Sequence, residues 1–290
     1  MCTRYWGDAM PVTYHLRLKD KPTVLVDART ISPDSFAGKQ LSEVLSLKIL
    51  EGGRQVTLQD LFDVDGPSEA PKDPGEIAIV IEGSTNKVSF VGYKMSKGSI
   101  TINGDAGHFI GYRMRGGSIV IRGNARNYLG AKMRDGSIEV FGNAGHWIGA
   151  KLLGEKPGKG MKGGTITIHG NAGSEIGSGM RGGTIIIDGD AGNSIGNHMI
   201  GGTIIIKGNC GLYPGLEMSG GRIVINGSVE ALLPSFYVDS LIQPLKVKGI
   251  TFNKSFMSFI GDVLVGGHGL LQVSYEDNRE LLEGFRKLLE

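Results

Sequence analysis

Only two cysteines, Cys2 and Cys210, occur in 290 residues. Two thiols cannot build a disulfide framework or a four-ligand zinc site, so the sequence reads as intracellular. Excess charge is also absent. The 31 Lys+Arg stand against 29 Asp+Glu, whereas a nucleic-acid binder driven by bulk charge shows a clear basic excess. No apolar run reaches the roughly 18 residues of a membrane span. Met1–Met10 lacks the hydrophobic core of a signal segment. A cytoplasmic chain with no membrane and no nucleic-acid partner is therefore expected. What is abundant is glycine, with 48 residues, about twice the usual share. The glycines do not fall at every third position, which excludes collagen. Ile and Val are too regularly placed for disorder.

The regularity is a repeat. Met95, Met114, Met133, Met161, Met180, Met199 and Met218 are separated by 19, 19, 28, 19, 19 and 19 residues. The long gap is one repeat plus nine residues, Leu152–Gly160. Ile100, Ile119, Ile138, Ile166, Ile185, Ile204 and Ile223 fill one column without exception. Ile102, Ile121, Val140, Ile168, Ile187, Ile206 and Ile225 follow two residues later. β-Branched residues at period two are the strand signal, and both columns point into one core. Ile110, Leu129, Ile148, Ile176 and Ile195 form a third apolar column, broken by Pro214. A weaker copy precedes these, with Ile79 and Ile81 standing for Ile100 and Ile102. Glycine at this density excludes helical repeats. The fold expected is mainly β: a right-handed parallel β-helix of seven to eight turns of about 19 residues, with small α/β capping segments. The column Asp105, Asn124, Asn143, Asn171, Asp190 and Asn209 is expected to take left-handed corner conformations, which Asn and Asp tolerate.

Three regions follow: residues 1–75 as N-terminal cap and linker, 76–228 as the repeats, and 229–290 as C-terminal cap. In the first, Val12–Lys19 and Thr23–Asp27 alternate like strands. Ser32-Pro33 reads as an N-cap and N1 proline, and Thr57–Asp60 as a capping box. In the last, Asn278 is expected to cap a helix whose apolar face is Leu281, Leu282, Phe285, Leu288 and Leu289.

No catalytic, cofactor-binding or metal-ligating constellation is found. His108 and His146 share a column two repeats apart, roughly 10 Å, too far to share one metal ion. His169 is expected to face solvent, with no carboxylate beside any histidine to activate it. Cys210 takes a small-residue column and reads as a buried spacer. Gly266-Gly267-His268-Gly269 lacks the Lys-Ser/Thr ending of a phosphate loop and reads as a turn.

The outside of the stack is more informative. Arg115, Arg134, Lys162 and Arg181 occupy one column, and Lys94, Arg113 and Lys132 a second. Stacked at about 4.8 Å, like charges repel, and only Asp135 lies nearby in sequence to offset them. Either these columns are a solvated edge or they dock onto an acidic partner. Phe109, Tyr128 and Trp147 form an aromatic column. Ile186, Ile205 and Val224 lie between inward residues and are expected to face outward. Such stripes suggest a surface covered by this chain's own flanks or by another subunit. The four basic and three aromatic residues are the candidate partner interface.

The run Gly-x-x-Met-x-x-Gly-x-Ile-x-Ile/Val-x-Gly occurs seven times, at 92–104, 111–123, 130–142, 158–170, 177–189, 196–208 and 215–227. It resembles the C subunit of formylmethanofuran dehydrogenase. The element Gly170, Gly173, Gly177 is shared with the C-terminal β-helix of glutamate synthase. Phe36-Ala-Gly-Lys39 with Glu43, Leu58–Val64 and Phe259–Asp262 look like the flanks of the dehydrogenase subunit. The resemblance implies a structural subunit of an oxidoreductase complex that reduces CO2 and formylates methanofuran in the first step of methanogenesis. It implies a tungsten or molybdenum pterin and iron–sulfur clusters on the B and D subunits and on iron–sulfur subunits. It places a dinuclear metal site on the amidohydrolase-like A subunit, and no cofactor on this chain. Two other assignments stand beside it: the C subunit of a bacterial formyltransferase/hydrolase complex, and a glutamate-synthase-like β-helix module.

Overall fold

A computed structural model describes residues 11–289. Cys2 and the Met1–Met10 segment lie outside the described residues. The chain is mainly β, organised on one 13-stranded mixed sheet. Its strands are β1 (Val12–Leu18), β2 (Phe62–Asp65), β3 (Ile77–Glu82), β4 (Ser99–Asn103), β5 (Arg115–Ile121), β6 (Asp135–Val140), β7 (Thr165–Ile168), β8 (Thr184–Ile187), β9 (Ile200–Ile206), β10 (Gly220–Ile225), β11 (Tyr237–Ile242), β12 (Phe256–Gly261) and β13 (Gly269–Ser274). Their spatial order is β11-β12-β13-β10-β9-β8-β7-β6-β5-β4-β3-β1-β2.

From β3 to β10 every neighbour is parallel, and the register follows the repeat: Ile79 opposite Ile100, Ile100 opposite Ile119, and so on to Ile204 opposite Ile223. A one-residue slip would turn each of these isoleucines out of the core, so burial enforces the register. All seven isoleucines of the main column are at most 1 % exposed. The flanks extend the same column. Tyr14 of β1 lies opposite Ile79, and Leu271 of β13 opposite Ile223. Within the region read from sequence as an N-terminal cap, β1 thus adds a parallel strand to the repeats. Pairing turns antiparallel only at the outside, between β1 and β2 and across β13, β12 and β11.

Successive repeats are also joined away from this sheet. Parallel bridges run Ala106–Ala125–Ala144–Ala172–Ala191–Cys210. The N–H groups of Gly111, Gly130, Gly149, Gly177, Gly196 and Gly215 each donate to the carbonyl preceding the equivalent glycine one repeat back, at 2.7–2.9 Å. A Cβ at Gly111 would come within 2.6 Å of Ile138 Cδ1, and φ there is +68°. Glycine is therefore required twice over.

The Asn/Asp column behaves differently from expectation. Asp105 Oδ1 accepts the N–H of Asn124, Asn124 Oδ1 that of Asn143, Asn143 Oδ1 that of Asn171, and the series continues to Ser228 at 2.7–2.9 Å. These side chains are acceptors for the next repeat. The left-handed conformation falls on the aromatic column instead, at Phe90, Phe109, Tyr128 and Trp147, with φ from +59° to +66°, and on Glu175, Ser194 and Tyr213 beyond it.

Four short helices occur among the described residues: α1 (Pro33–Phe36), α2 (Leu41–Leu45), α3 (Leu58–Leu61) and α4 (Arg279–Arg286). Ser32 caps α1 through Ser35 N–H, and Thr57 with Asp60 forms the box at α3. Asn278 makes no side-chain bond to α4. Its Oδ1 accepts from Val229 N–H and its Nδ2 donates to Gly227 and Ser274 carbonyls, so it closes the end of the stack. Only Leu282 of α4 is fully buried, with Phe285 packed beside it. Leu281, Leu288 and Leu289 are exposed, because the helix ends at Arg286 and docks by one edge.

Candidate partner-binding surface

The methionine column is buried, and the residues on either side of each methionine point away from the core. This puts Lys94, Arg113 and Lys132 on one side of it and Arg115, Arg134 and Lys162 on the other. With Lys159 from the nine-residue insertion, these seven cations line one groove of about 320 Å³. Arg181 continues the column beyond the groove. The counter-charge is Glu155, not Asp135 as sequence proximity suggested. Glu155 reaches back from the insertion to pair with Lys132, while Asp135 turns one oxygen to Gly136 N–H. Burial pushes the Glu155 carboxyl up. The Lys132 hydrogen bond, the Leu152 N–H and the Lys132 and Arg113 charges outweigh this and hold it below the usual range.

The aromatic column is a continuous stack. Phe90, Phe109, Tyr128 and Trp147 follow one another at centroid distances of 4.7, 4.6 and 5.1 Å, with interplanar angles of 5°, 2° and 12°. Arg29 lies 4.4 Å over the Phe90 ring. Leu25 and Leu50 of the N-terminal segment stand opposite and complete an apolar groove of about 490 Å³. The aliphatic stripe faces away from the repeat core, as expected, but it is not exposed. Ile205 and Val224 are fully buried under Leu245, Val247, Phe252 and Phe256, so the chain's own C-terminal segment covers it.

The histidines divide. His146 Nδ1 accepts the Ser174 N–H at 2.9 Å, continuing a second acceptor column from Asn127. Burial first, then the Arg126 charge, lowers the His108 pKa. His169 does not face solvent alone. It lies between Glu139 at 2.9 Å and Asp188 at 2.7 Å, and Asp188 also pairs with Lys207 at 2.6 Å. Those carboxylate hydrogen bonds, Glu139 first, raise its pKa against a smaller burial effect. Asp188 was detectable from sequence, since it follows His169 by one repeat; Glu139 precedes His169 by 30 positions, across the insertion. Among the described residues no three His, Cys, Asp or Glu side chains are grouped to hold a metal ion. Cys210 is buried, and burial pushes its thiol to about 12.

No family model matches the chain. The C subunit of a tungsten-containing formylmethanofuran dehydrogenase from Methanothermobacter wolfeii is 39 % identical over 88 residues, 30 % of this chain and 32 % of that protein. The C subunit of a molybdenum-containing formylmethanofuran dehydrogenase from Methanosarcina barkeri is 35 % identical over 84 residues, 29 % of this chain and 27 % of that protein. The chain thus matches about a third or less of the length of these curated relatives. The crystal structure of the formyltransferase/hydrolase complex FhcABCD from Methylorubrum extorquens, in complex with methylofuran, contains a similar chain. The TM-score is 0.76 at 29 % identity, covering 90 % of this chain and 99 % of that one. The chain is therefore similar, over about 30 % of its length, to C subunits of formylmethanofuran dehydrogenases, and it shares its fold over most of its length with a chain of a formyltransferase/hydrolase complex.

Proposed function

We propose that this chain is the non-catalytic C subunit of a formylmethanofuran dehydrogenase complex, which reduces CO2 and formylates methanofuran. The observation that carries this is the 39 % identity to a protein of that name. Its register of 19-residue repeats supports reading the middle of the chain, residues 76–228, as a right-handed parallel β-helix, with 1–75 and 229–290 as caps. In this role it is a scaffold. Evenly spaced repeats hold side chains in rigid rows, which lowers the ordering cost of binding. Arg115, Arg134, Lys162 and Arg181, with Phe109, Tyr128 and Trp147, are the docking rows. The partners are the amidohydrolase-like A subunit, the molybdopterin-type B and D subunits, and iron–sulfur subunits. Tungsten or molybdenum pterin, iron–sulfur clusters and a dinuclear metal belong to those subunits. The complex works in the cytoplasm; no helix among the described residues is long and apolar enough to cross a membrane.

The structural match to a chain of FhcABCD favours a second reading, in which the same scaffold serves formyl transfer and hydrolysis without net redox. Tagged full-length chain purified from its native host separates the two. Co-purified subunits with tungsten or molybdenum, iron and CO2-reducing activity are the expected result. Hydrolysis of a formylated carrier without redox activity selects the second reading. A chain that purifies with no other subunit overturns both.

A further inference from the structure

The nine-residue insertion does two things to the basic face. It adds Lys159 to the groove, and it folds Glu155 back so that its carboxylate pairs with Lys132, one of the seven cations, and feels the charge of Arg113, another. Glu155 is held by a tight turn. Its N–H donates to the Leu152 carbonyl at 3.1 Å, and its second oxygen accepts the Leu152 N–H at 3.0 Å. Lys132 is half-buried, and a cation so placed needs a partner. The other six are exposed and have no ion-pair partner among the described residues. A concave surface lined by one sign of charge focuses its field and raises the local concentration of counter-ions.

The groove has a direction. Lys94, Arg113 and Lys132 stand on successive repeats, as do Arg115, Arg134 and Lys162, and the two rows flank the buried methionines. Three repeats span about 10 Å, the length of roughly three residues of extended chain. An extended peptide running along the stack sends alternate side chains to opposite sides, so consecutive acids would meet the two rows in turn.

We propose that this groove binds a short acidic segment of a partner protein in extended conformation, and that Glu155 occupies one of its carboxylate positions until the partner displaces it. This rests on the reading of the basic face as an interface, but not on which complex the chain serves. The insertion is then a built-in competitor. It satisfies Lys132 in the free chain and sets a threshold that a single carboxylate cannot cross but a run of them can.

The test uses full-length chain and a fluorescent, end-blocked hexaglutamate peptide, followed by anisotropy. Binding that weakens with added salt is expected. Glu155→Gln should tighten it about fivefold, and Arg113→Gln with Arg134→Gln should weaken it at least tenfold. Thermal melting of each variant checks that the fold is kept. Lys159→Ala, on the exposed insertion, is a second probe that should weaken binding without affecting the fold. No binding by hexaglutamate, or binding indifferent to the Arg113/Arg134 pair and to Lys159, overturns the groove. Unchanged or weaker binding in Glu155→Gln overturns the competitor role. Tighter binding of tripolyphosphate or of a single-stranded oligonucleotide overturns the acidic-peptide assignment. If the peptide fails while the native chain still co-purifies with the expected subunits, only the groove falls. If the peptide binds but no such subunits co-purify, the functional reading falls and the groove stands.

Discussion

Asp188 Oδ2 lies 2.7 Å from His169 Nδ1, one repeat further along the stack. With Glu139 on the other ring nitrogen, two carboxylates favour the imidazolium, and the pKa of His169 is raised. Asp188 is pushed up by burial, but Lys207 and His169 more than compensate and lower it.

The sign of the resulting pH dependence follows. A raised histidine stabilises fully below its unfolded value of 6.5, and that stability is lost as pH rises through the folded pKa. A lowered aspartate loses its contribution as pH falls through its own folded pKa. The gap in melting temperature between the native chain and His169→Gln should therefore be widest below about pH 6.5 but above the carboxylate range, and narrow on either side. At this exposure the contribution is below about 1 kcal/mol. A gap that widens steadily from pH 6 to pH 9 would show that the histidine acts in its neutral form.

Ser194 and Asp190 separate two roles that sequence alone confounds. Ser194 holds φ at +56°, so Ser194→Gly should stabilise the chain by about 0.5–1 kcal/mol by removing the Cβ penalty. Asp190→Gly should do the opposite. It deletes the acceptor for Asn209 N–H at 2.7 Å, a loss of about 1 kcal/mol. Urea denaturation of the two variants reads both signs. The reverse pattern would return the left-handed conformation to the Asn/Asp column.

Ile185 is fully buried, whereas Thr167 lies on the outer face, between Glu139 and Ile186 in the register. Ile185→Ala should cost about 2–5 kcal/mol, and Ile185→Asp should prevent folding, since its carboxylate would have no partner. Thr167→Asp should fold. Circular dichroism melts that ranked Thr167→Asp below Ile185→Asp would put the core on the other face of the sheet.

The inward columns are legible in the sequence because burial on one face imposes period two and the repeat multiplies the signal. Ile100 to Ile223 stand opposite one another as their spacing requires. The capping signals at Ser32 and Thr57 are local and also hold. What the sequence conceals is of two kinds. The corner from Phe90 through Trp147 to Glu175 and Ser194 adopts positive φ, a conformation that non-glycine residues rarely take, so the residue types there do not announce it. Glu155 on Lys132 and the C-terminal cover over Ile205 and Val224 depend on where non-repeating segments travel, which no periodicity encodes. The Asp188 half of the His169 cluster is a milder case. The period does bring His169 beside Asp188, but in an outward column, where mixed residue types blur the repeat.

The outermost strands of the sheet run against their neighbours, β2 against β1 at one end and β11 against β12 at the other. Between them lies a stack whose repeats accept one another in register, the geometry on which fibres grow. A second molecule stacking in the same parallel register would meet a reversed strand at either end rather than another repeat. At one end it meets a four-residue strand carrying Asp63 and Asp65, charges that discourage further pairing. The reversed strands thus act against end-to-end polymerisation of the stack.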